Sequence, residues 1–173
     1  MNRARPNEPP MPDPLAFFLT WPTYGTWLPG DKRGWVLYSC GEQPPDELRR
    51  RTARLRMNEE ACLLDHEQRK LVEETIIQHC KIREWELFTV NCRSNHLHVV
   101  FNGDKHPDVM RTQFKAWCIR RLKELELARG TAPEVVRENW WAERGSRRYI
   151  NNANSQEAAI LYVRDAQDNP HSC

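Results

Sequence analysis

Two histidines, His96 and His98, are separated by a single leucine in the sequence NHLHVV. On a β-strand, residues two apart project from the same face, so both imidazoles can reach one metal ion while Leu97 and Val99 enter the core behind them. Two neutral imidazoles supply half of the ligands of a divalent metal site. The spacing is also common in pairs of histidines on a solvent-facing strand, so the motif alone leaves both interpretations open.

A tyrosine near the C-terminus, Tyr162, is the second group that could do chemistry. The residues Ala159, Tyr162, Val163 and Ala166 follow the i, i+3, i+4, i+7 spacing of one helix face, which predicts that Tyr162 lies on the apolar side of a helix. Many tyrosines in such positions are core residues. A helix docked on the sheet would instead bring the phenol beside the histidine pair, where it could attack a phosphate held by a metal ion.

The elements that must position these groups follow from the hydrophobic pattern. It predicts strands at 15–21, 85–90, 96–101 and 147–150. It predicts helices at 58–83, from 107 to a stop at Gly130, and from about 154 to 167, with Asn58 and Asn154 as the first and last helix caps. The fold class is therefore α+β, a ferredoxin-like βαββαβ antiparallel sheet with an added C-terminal helix that carries the tyrosine.

The length and composition indicate one globular domain. A chain of 173 residues with 39% hydrophobic and 29% charged residues is too apolar for wholesale disorder and too short for two domains of similar size. We expect a flexible proline-rich tail at 1–14, a domain at 15–168 and a C-terminal tail at 169–173. The longest apolar run, 15–19, is far below the roughly 20 residues of a membrane span, and 1–14 lacks the pattern of a signal peptide. The sequence therefore predicts a cytoplasmic protein without membrane partners, and its six scattered cysteines favour reduced, packed thiols.

Two kinds of surface could contact a nucleic acid. The basic residues Arg49, Arg50 and Arg51, and again Arg120 and Arg121, form local clusters, although the net charge is only +2 and a solvated face is a common alternative. A loop rich in glycine and aromatic residues spans 23–35. This loop could cover one end of the core, or it could stack on exposed bases through three aromatic residues beside an arginine: Tyr24, Trp27, Trp35 and Arg33.

Taken together, these residues resemble the single-tyrosine HUH transposases, and most closely the REP-associated tyrosine transposases. His96-Leu97-His98 matches the His-hydrophobic-His strand of that family, and Tyr162 followed by Gln167 is similar to its C-terminal tyrosine helix. The loop at 23–31 with Arg33-Gly34-Trp35 also resembles a segment found in many such proteins. The resemblance extends over about 15–167.

The resemblance implies a metal-dependent endonuclease that acts on single-stranded DNA, near a hairpin, as a monomer or homodimer. Tyr162 would be the nucleophile and would form a 5′-phosphotyrosine link, leaving a free 3′-hydroxyl that can later rejoin strands. The cofactor would be Mg²⁺ or Mn²⁺, held by His96 and His98. Should Tyr162 not be the nucleophile, Tyr149 in the fourth predicted strand is the next candidate.

The third metal ligand departs from the family pattern. Members commonly carry a glutamine or asparagine four residues after the tyrosine, where this chain has Ala166. Gln167 would point about 100° further round an ideal helix than Ala166. We rank Gln167 first as the third ligand and Asp165 second.

Other functions remain to be weighed against this one. A non-catalytic nucleic-acid-binding module derived from such a transposase would not need the complete set of His96, His98 and Tyr162. A phosphohydrolase of small nucleotides is disfavoured, because this sequence has no glycine-rich loop that could cradle a phosphate. A histidine-triad hydrolase would need a third histidine where Val100 stands, and a cupin would need many more strands.

Overall fold

The computed structural model describes residues 11–37 and 39–165 as a mixed α/β arrangement. The strands are β1 (Ala16–Pro22), β2 (Trp35–Leu37), β3 (Gly41–Gln43), β4 (Glu86–Cys92), β5 (His96–Asn102) and β6 (Ser146–Ile150). The helices are α1 (Glu47–Leu55), α2 (His66–Arg83), α3 (Pro107–Ala128) and α4 (Ala153–Asp165), with a short 3₁₀ turn at Pro133–Val135. None of the described helices combines the length and apolar character needed to cross a bilayer.

Four strands form one antiparallel sheet in the order β4-β5-β1-β6, and β2 pairs with β3 in a separate small hairpin. The central strand β1 places Thr20 opposite His98 of β5 and Ser146 of β6. One pleat further along, Phe18 lies opposite Val100 and Arg148. All four predicted strands are present within two residues of their predicted bounds.

Both faces of the sheet are covered, and alternation along β5 decides which residue faces which layer. Leu97, Val99 and Phe101 pack with α2 and α3 in the larger core, which also contains the side chains of Leu19 and Trp21. On the opposite face, α4 packs on a smaller cluster formed by Ala16, Val100, Ile150, Ala159 and Val163. The histidines of β5 share the second face, because they alternate with Leu97 and Val99.

The predicted helix at 58–83 is wrong in its first part. α2 begins only at His66, and Asp65 is its N-cap: Asp65 accepts from the Gln68 backbone N–H while the Gln68 side chain accepts from the Asp65 N–H. Asn58 is therefore not a helix cap. This reciprocal capping box satisfies two of the amide groups that a helix start leaves without intrahelical partners.

The stretch before α2 is extended because its backbone bonds to other parts of the chain. The Cys62 N–H donates to Tyr24 O, and the Leu64 N–H donates to Ser94 O. The Thr23 hydroxyl donates to Cys62 O at 2.6 Å. These distant partners replace the i−4 carbonyls of a helix, and the buried Leu64 fills the core from this extended segment rather than from a helical face.

Helix α1 and the β2–β3 hairpin are not anticipated by the hydrophobic pattern. α1 buries none of its side chains, so no apolar stripe marks it, and its start is defined by Asp46, which accepts from the Arg49 N–H. At the other end of the chain, the cap of α4 is Asn152, whose side-chain oxygen accepts from the Ser155 N–H. The predicted cap Asn154 lies inside α4 instead.

We predict that the Asp65 cap, and not Asn58, stabilises α2. Asp65→Ala removes the acceptor for the Gln68 N–H and should lower the free energy of unfolding by about 1 kcal/mol, measured by urea denaturation. Asp65→Asn keeps a capping oxygen and should lose less. The control Asn58→Ala should stay within about 0.5 kcal/mol of the parent protein. A larger loss from Asn58→Ala than from Asp65→Ala would contradict this assignment.

Candidate active site

The two histidines of β5 lie side by side on the sheet face that packs against α4. Their ring centroids are 4.7 Å apart, with the rings nearly perpendicular. His98 is only 7% exposed, whereas His96, nearer the strand start, is half-buried. The alternative of two histidines on a solvent-facing strand is therefore wrong for His98, because this face of the sheet carries a helix.

Hydrogen bonds orient both imidazoles through their Nδ1 atoms. His98 Nδ1 lies 2.6 Å from the Thr20 hydroxyl, on the neighbouring strand. His96 Nδ1 lies 2.6 Å from Asn95 Oδ1. Because an amide oxygen only accepts, this bond puts the His96 proton on Nδ1 and leaves Nε2 with a free lone pair, the arrangement found in metal-binding histidines.

The surroundings keep both rings neutral. Burial, and to a smaller extent the nearby His96 and Arg93, lower the pKa of His98 to about 3. The pKa of His96 is lowered by burial, and then by Arg93 and Arg33. Neutral imidazole is the form that coordinates a metal ion, so the site holds the histidines in the protonation state that a metal requires.

Tyr162 lies next to this pair, on α4. Its ring centroid is 5.8 Å from that of His98 and 6.2 Å from that of Phe18, both in edge-to-face contact. Ala159 and Val163 of the same helix face are buried against the sheet, but Tyr162 is 41% exposed. The phenol therefore lies at the margin of the smaller core, beside the histidines and open to solvent.

The third metal ligand is not defined by the described residues. Gln167 lies outside them, as does the predicted end of α4 at 167. Asp165 forms an ion pair with its neighbour Arg164, with Nε 2.7 Å from Oδ1. No group of three His, Cys, Asp or Glu side chains within 11–37 and 39–165 could hold a metal ion together. The two imidazoles fit a divalent metal as ligands, and its other positions would be filled from elsewhere.

Part of the 23–35 loop borders the histidines. The Thr23 N–H and the Thr26 hydroxyl both bond to the carbonyl of Asn95, the residue that orients His96. In the same loop the Arg33 guanidinium lies 4.8 Å from the centre of the Trp27 ring and donates to Asp31 and Thr26 O. Trp27 is 48% exposed. Trp27 and Arg33 thus form a stacked pair at the border of the site.

The other two aromatic residues of the loop have structural contacts. Trp35 is 8% exposed, its indole N–H donates to Pro44 O, and Arg49 lies 4.9 Å from its ring centre. The Tyr24 hydroxyl accepts from the Asn58 N–H, and its ring packs against the larger core. Both residues hold the loop in place, and neither offers the open ring face that base stacking requires.

The basic clusters predicted from sequence lie elsewhere and are partly neutralised. Arg50 and Arg51 both bond to Glu47 along α1. Arg120 and Arg121 share Glu124 on α3, the helix that covers the sheet face opposite to the histidines. The fallback nucleophile Tyr149 faces that same opposite layer, with its ring 5.6 Å from Phe17. These residues are not brought to the histidine pair.

Sequence reasoning missed the residues that orient the site. Thr20 is one polar residue in an apolar strand, and only the β1–β5 register identifies it as the partner of His98. Phe18 likewise contacts both His98 and Tyr162 because it lies one pleat away on the same face. Asn95 directly precedes His96, so the motif itself was a signal that could have identified Asn95 as the hydrogen-bonding partner of that ring.

Comparisons with known proteins give structural neighbours only. No family model and no curated protein matches the chain. A REP-associated tyrosine transposase bound to a REP hairpin is similar over 86% of this chain, with 14% identity and a TM-score of 0.45, and this chain spans 63% of its length. A candidate transposase from Deinococcus radiodurans R1 is similar over 96% of this chain and 98% of its own, with 15% identity and a TM-score of 0.41.

We predict that the two histidines differ in their contribution to stability. His98→Ala removes a buried ring and leaves the Thr20 hydroxyl without its partner, so it should cost about 1 to 3 kcal/mol of unfolding free energy. His96→Ala, at a half-buried position, should cost less. Urea denaturation without added metal measures both, and equal losses would show that α4 does not shield His98.

Proposed function

We propose that this protein is a metal-dependent single-stranded DNA nickase-ligase or transposase of the HUH class, with Tyr162 as its nucleophile. The observation that carries the proposal is the position of Tyr162. Its ring, 41% exposed, lies 5.8 Å from the ring of His98 within one cluster of side chains. A tyrosine with only a packing role would gain more from burial, whereas a nucleophile must reach solvent and substrate.

The arrangement of elements supports a ferredoxin-like fold for this activity. The strands β1, β4, β5 and β6 follow a βαββαβ order along the chain, with α2 and α3 as the two crossover helices. Both helices pack on one face of the antiparallel sheet. The opposite face is then available for α4 and for the histidines.

In the proposed reaction, the Tyr162 oxygen attacks the phosphorus of a DNA phosphodiester. A bond forms between the phenolic oxygen and phosphorus, and the bond from phosphorus to the 3′-oxygen breaks. The phenol gives up its proton, and the departing 3′-oxygen takes one up. The product is a 5′-phosphotyrosine link and a free 3′-hydroxyl, and attack by a second 3′-hydroxyl reverses these steps and joins strands without ATP.

The chain's own residues would hold a divalent ion through His96 and His98. Thr20 and Asn95 fix the two rings through Nδ1, which leaves the other nitrogen of each ring for coordination. A bound Mg²⁺ or Mn²⁺ would polarise the phosphate oxygen and withdraw charge from phosphorus. Gln167 is our first candidate for a third ligand and Asp165 the second.

The exposed loop pair would contact the DNA strand beside the site. Trp27 offers exposed ring surface for stacking on an unpaired base, and Arg33, which is paired with Asp31, packs on the same ring. Both are held close to His96 through Thr26 and Asn95. A single strand, whose bases are free to stack, fits this surface better than a duplex does.

The decisive prediction concerns Tyr162→Phe. The substitution removes one oxygen and keeps the ring contacts with His98 and Phe18, so affinity for DNA and stability should be retained. Nicking and the covalent protein–DNA adduct should both disappear. A library of single-stranded hairpin oligonucleotides, with adducts detected by mass spectrometry, measures this.

The matched control is Tyr149→Phe, which removes the same oxygen from a tyrosine on the opposite face of the sheet. It should form the adduct at the parental rate. Adduct formation by Tyr162→Phe would place the nucleophile elsewhere. DNA binding without nicking by the parent protein would instead support the non-catalytic binding module.

A second prediction concerns the metal. Excess chelator should abolish adduct formation, and Mg²⁺ or Mn²⁺ should restore it. Thr20→Val replaces the hydroxyl beside His98 Nδ1 with a methyl group and should weaken metal binding by about 10- to 100-fold, measured by calorimetric titration with Mn²⁺. Gln167→Ala and Asp165→Ala, titrated in parallel, identify the third ligand. Full activity in chelator would remove the metal from the mechanism.

A further inference from the structure

One arginine lies on the tyrosine side of the sheet and has no role in the site so far. Alternation along β6 puts Arg148 on the face of Ile150, toward α4, because it lies directly opposite Phe18 of β1. Its neighbour Arg147 points to the other face, where it pairs with Asp108 of α3. The side chains of the two adjacent arginines of β6 therefore lie on opposite faces of the sheet.

Among the described residues, the guanidinium of Arg148 contacts an aromatic ring and no charged group. Its central carbon lies 5.5 Å from the centre of the Phe18 ring, and the residue is half-buried. Within 11–37 and 39–165, the guanidinium makes no hydrogen bond and no ion pair. A cation–π contact fixes the position of an arginine but leaves its N–H donors available.

The ring beneath Arg148 is the one that also contacts the reacting groups. Phe18 lies 5.5 Å from the His98 ring and 6.2 Å from the Tyr162 ring, centroid to centroid. Phe18 therefore has the histidine on the β5 side, the arginine on the β6 side and the phenol above it. Arg148 and Tyr162 thus contact the same ring, which brings a cation and the proposed nucleophile to one small part of the surface.

We propose that Arg148 is a further substrate-binding residue, whose guanidinium donates to the non-bridging oxygens of the phosphodiester that Tyr162 attacks. The inference rests on the proposed function. Arginine suits this role because its planar fork matches two phosphate oxygens and stays charged at any relevant pH. Arg148 would approach the phosphate from the side of Phe18 opposite to the histidines. The negative charge of the phosphate would then be neutralised by Arg148 on one side and by a metal ion held by the histidines on the other.

The test compares Arg148→Gln with the control Arg147→Gln, which removes the same charge from the neighbouring position on the opposite face. Arg148→Gln should lower the single-turnover rate of adduct formation by about 100-fold. It should also weaken binding of single-stranded oligonucleotides, while thermal unfolding shows that the protein is folded. Arg147→Gln should keep the parental rate and affinity. Arg148→Lys keeps the charge without the fork and should fall between Arg148→Gln and the parent.

A neutral linkage identifies which phosphate is contacted. In the Tyr162→Phe background and in excess chelator, so that no metal ion contacts the phosphate, one methylphosphonate at the cleaved position should weaken binding when Arg148 is present. It should cause little further loss when Arg148 is already Gln, because both changes remove the same contact. Independent, additive losses would place Arg148 on another phosphate and overturn the inference.

The outcomes separate this inference from the proposed function. If the parent protein forms an adduct and Arg148→Gln matches its rate, the role of Arg148 is overturned and the nucleophile stands. If the parent forms no adduct with any oligonucleotide, the proposed function fails, and affinity for a random single strand decides the role of Arg148. If Arg148→Gln lowers the affinity for the single strand and Arg147→Gln does not, the result supports a phosphate contact by Arg148. Equal affinities of the two variants overturn that contact.

Discussion

The covering of both faces of the central strands β1 and β5 is the constraint on which the candidate site depends. Residues of β5 that face α2 and α3 build the larger core, so the intervening residues must face α4. His98 is thereby enclosed, and it can be enclosed only because Thr20 supplies a hydrogen-bonding partner from the adjacent strand. The same enclosure keeps its imidazole neutral.

Much of the fold could be predicted because most of its elements have a regular spacing of apolar residues. The strands and α3 have regular apolar spacing, and α3 runs from Pro107 to just before Gly130 as expected. The errors occur where tertiary contacts decide the backbone. The 58–65 segment bonds to the loop after β1 and to the β4–β5 turn, so its helical pattern is overridden. Helix α1 buries no side chain and leaves no pattern to detect.

The candidate site could be predicted in its residue types but not in its environment. The motif identified His96 and His98, yet it does not show that His98 is buried and His96 only half-buried, which tertiary packing decides. The spacing around Tyr162 placed it on the same helix face as Ala159 and Val163. Helical periodicity alone does not predict how much of the Tyr162 ring is exposed to solvent. The sequence shows Arg50 and Arg51 as part of a basic cluster, and in the structure Glu47 neutralises part of their charge.

The shallow packing of α4 has a consequence for how the protein moves. This helix buries only Ser155, Ala159 and Val163, which are small side chains, while α2 and α3 are held by large aromatic and aliphatic residues. Local opening of a helix costs less free energy when it exposes less apolar surface. The amide groups of α4 should therefore exchange with solvent deuterium sooner than those of α3. Local opening of the helix that bears Tyr162 can therefore occur while the larger core stays folded.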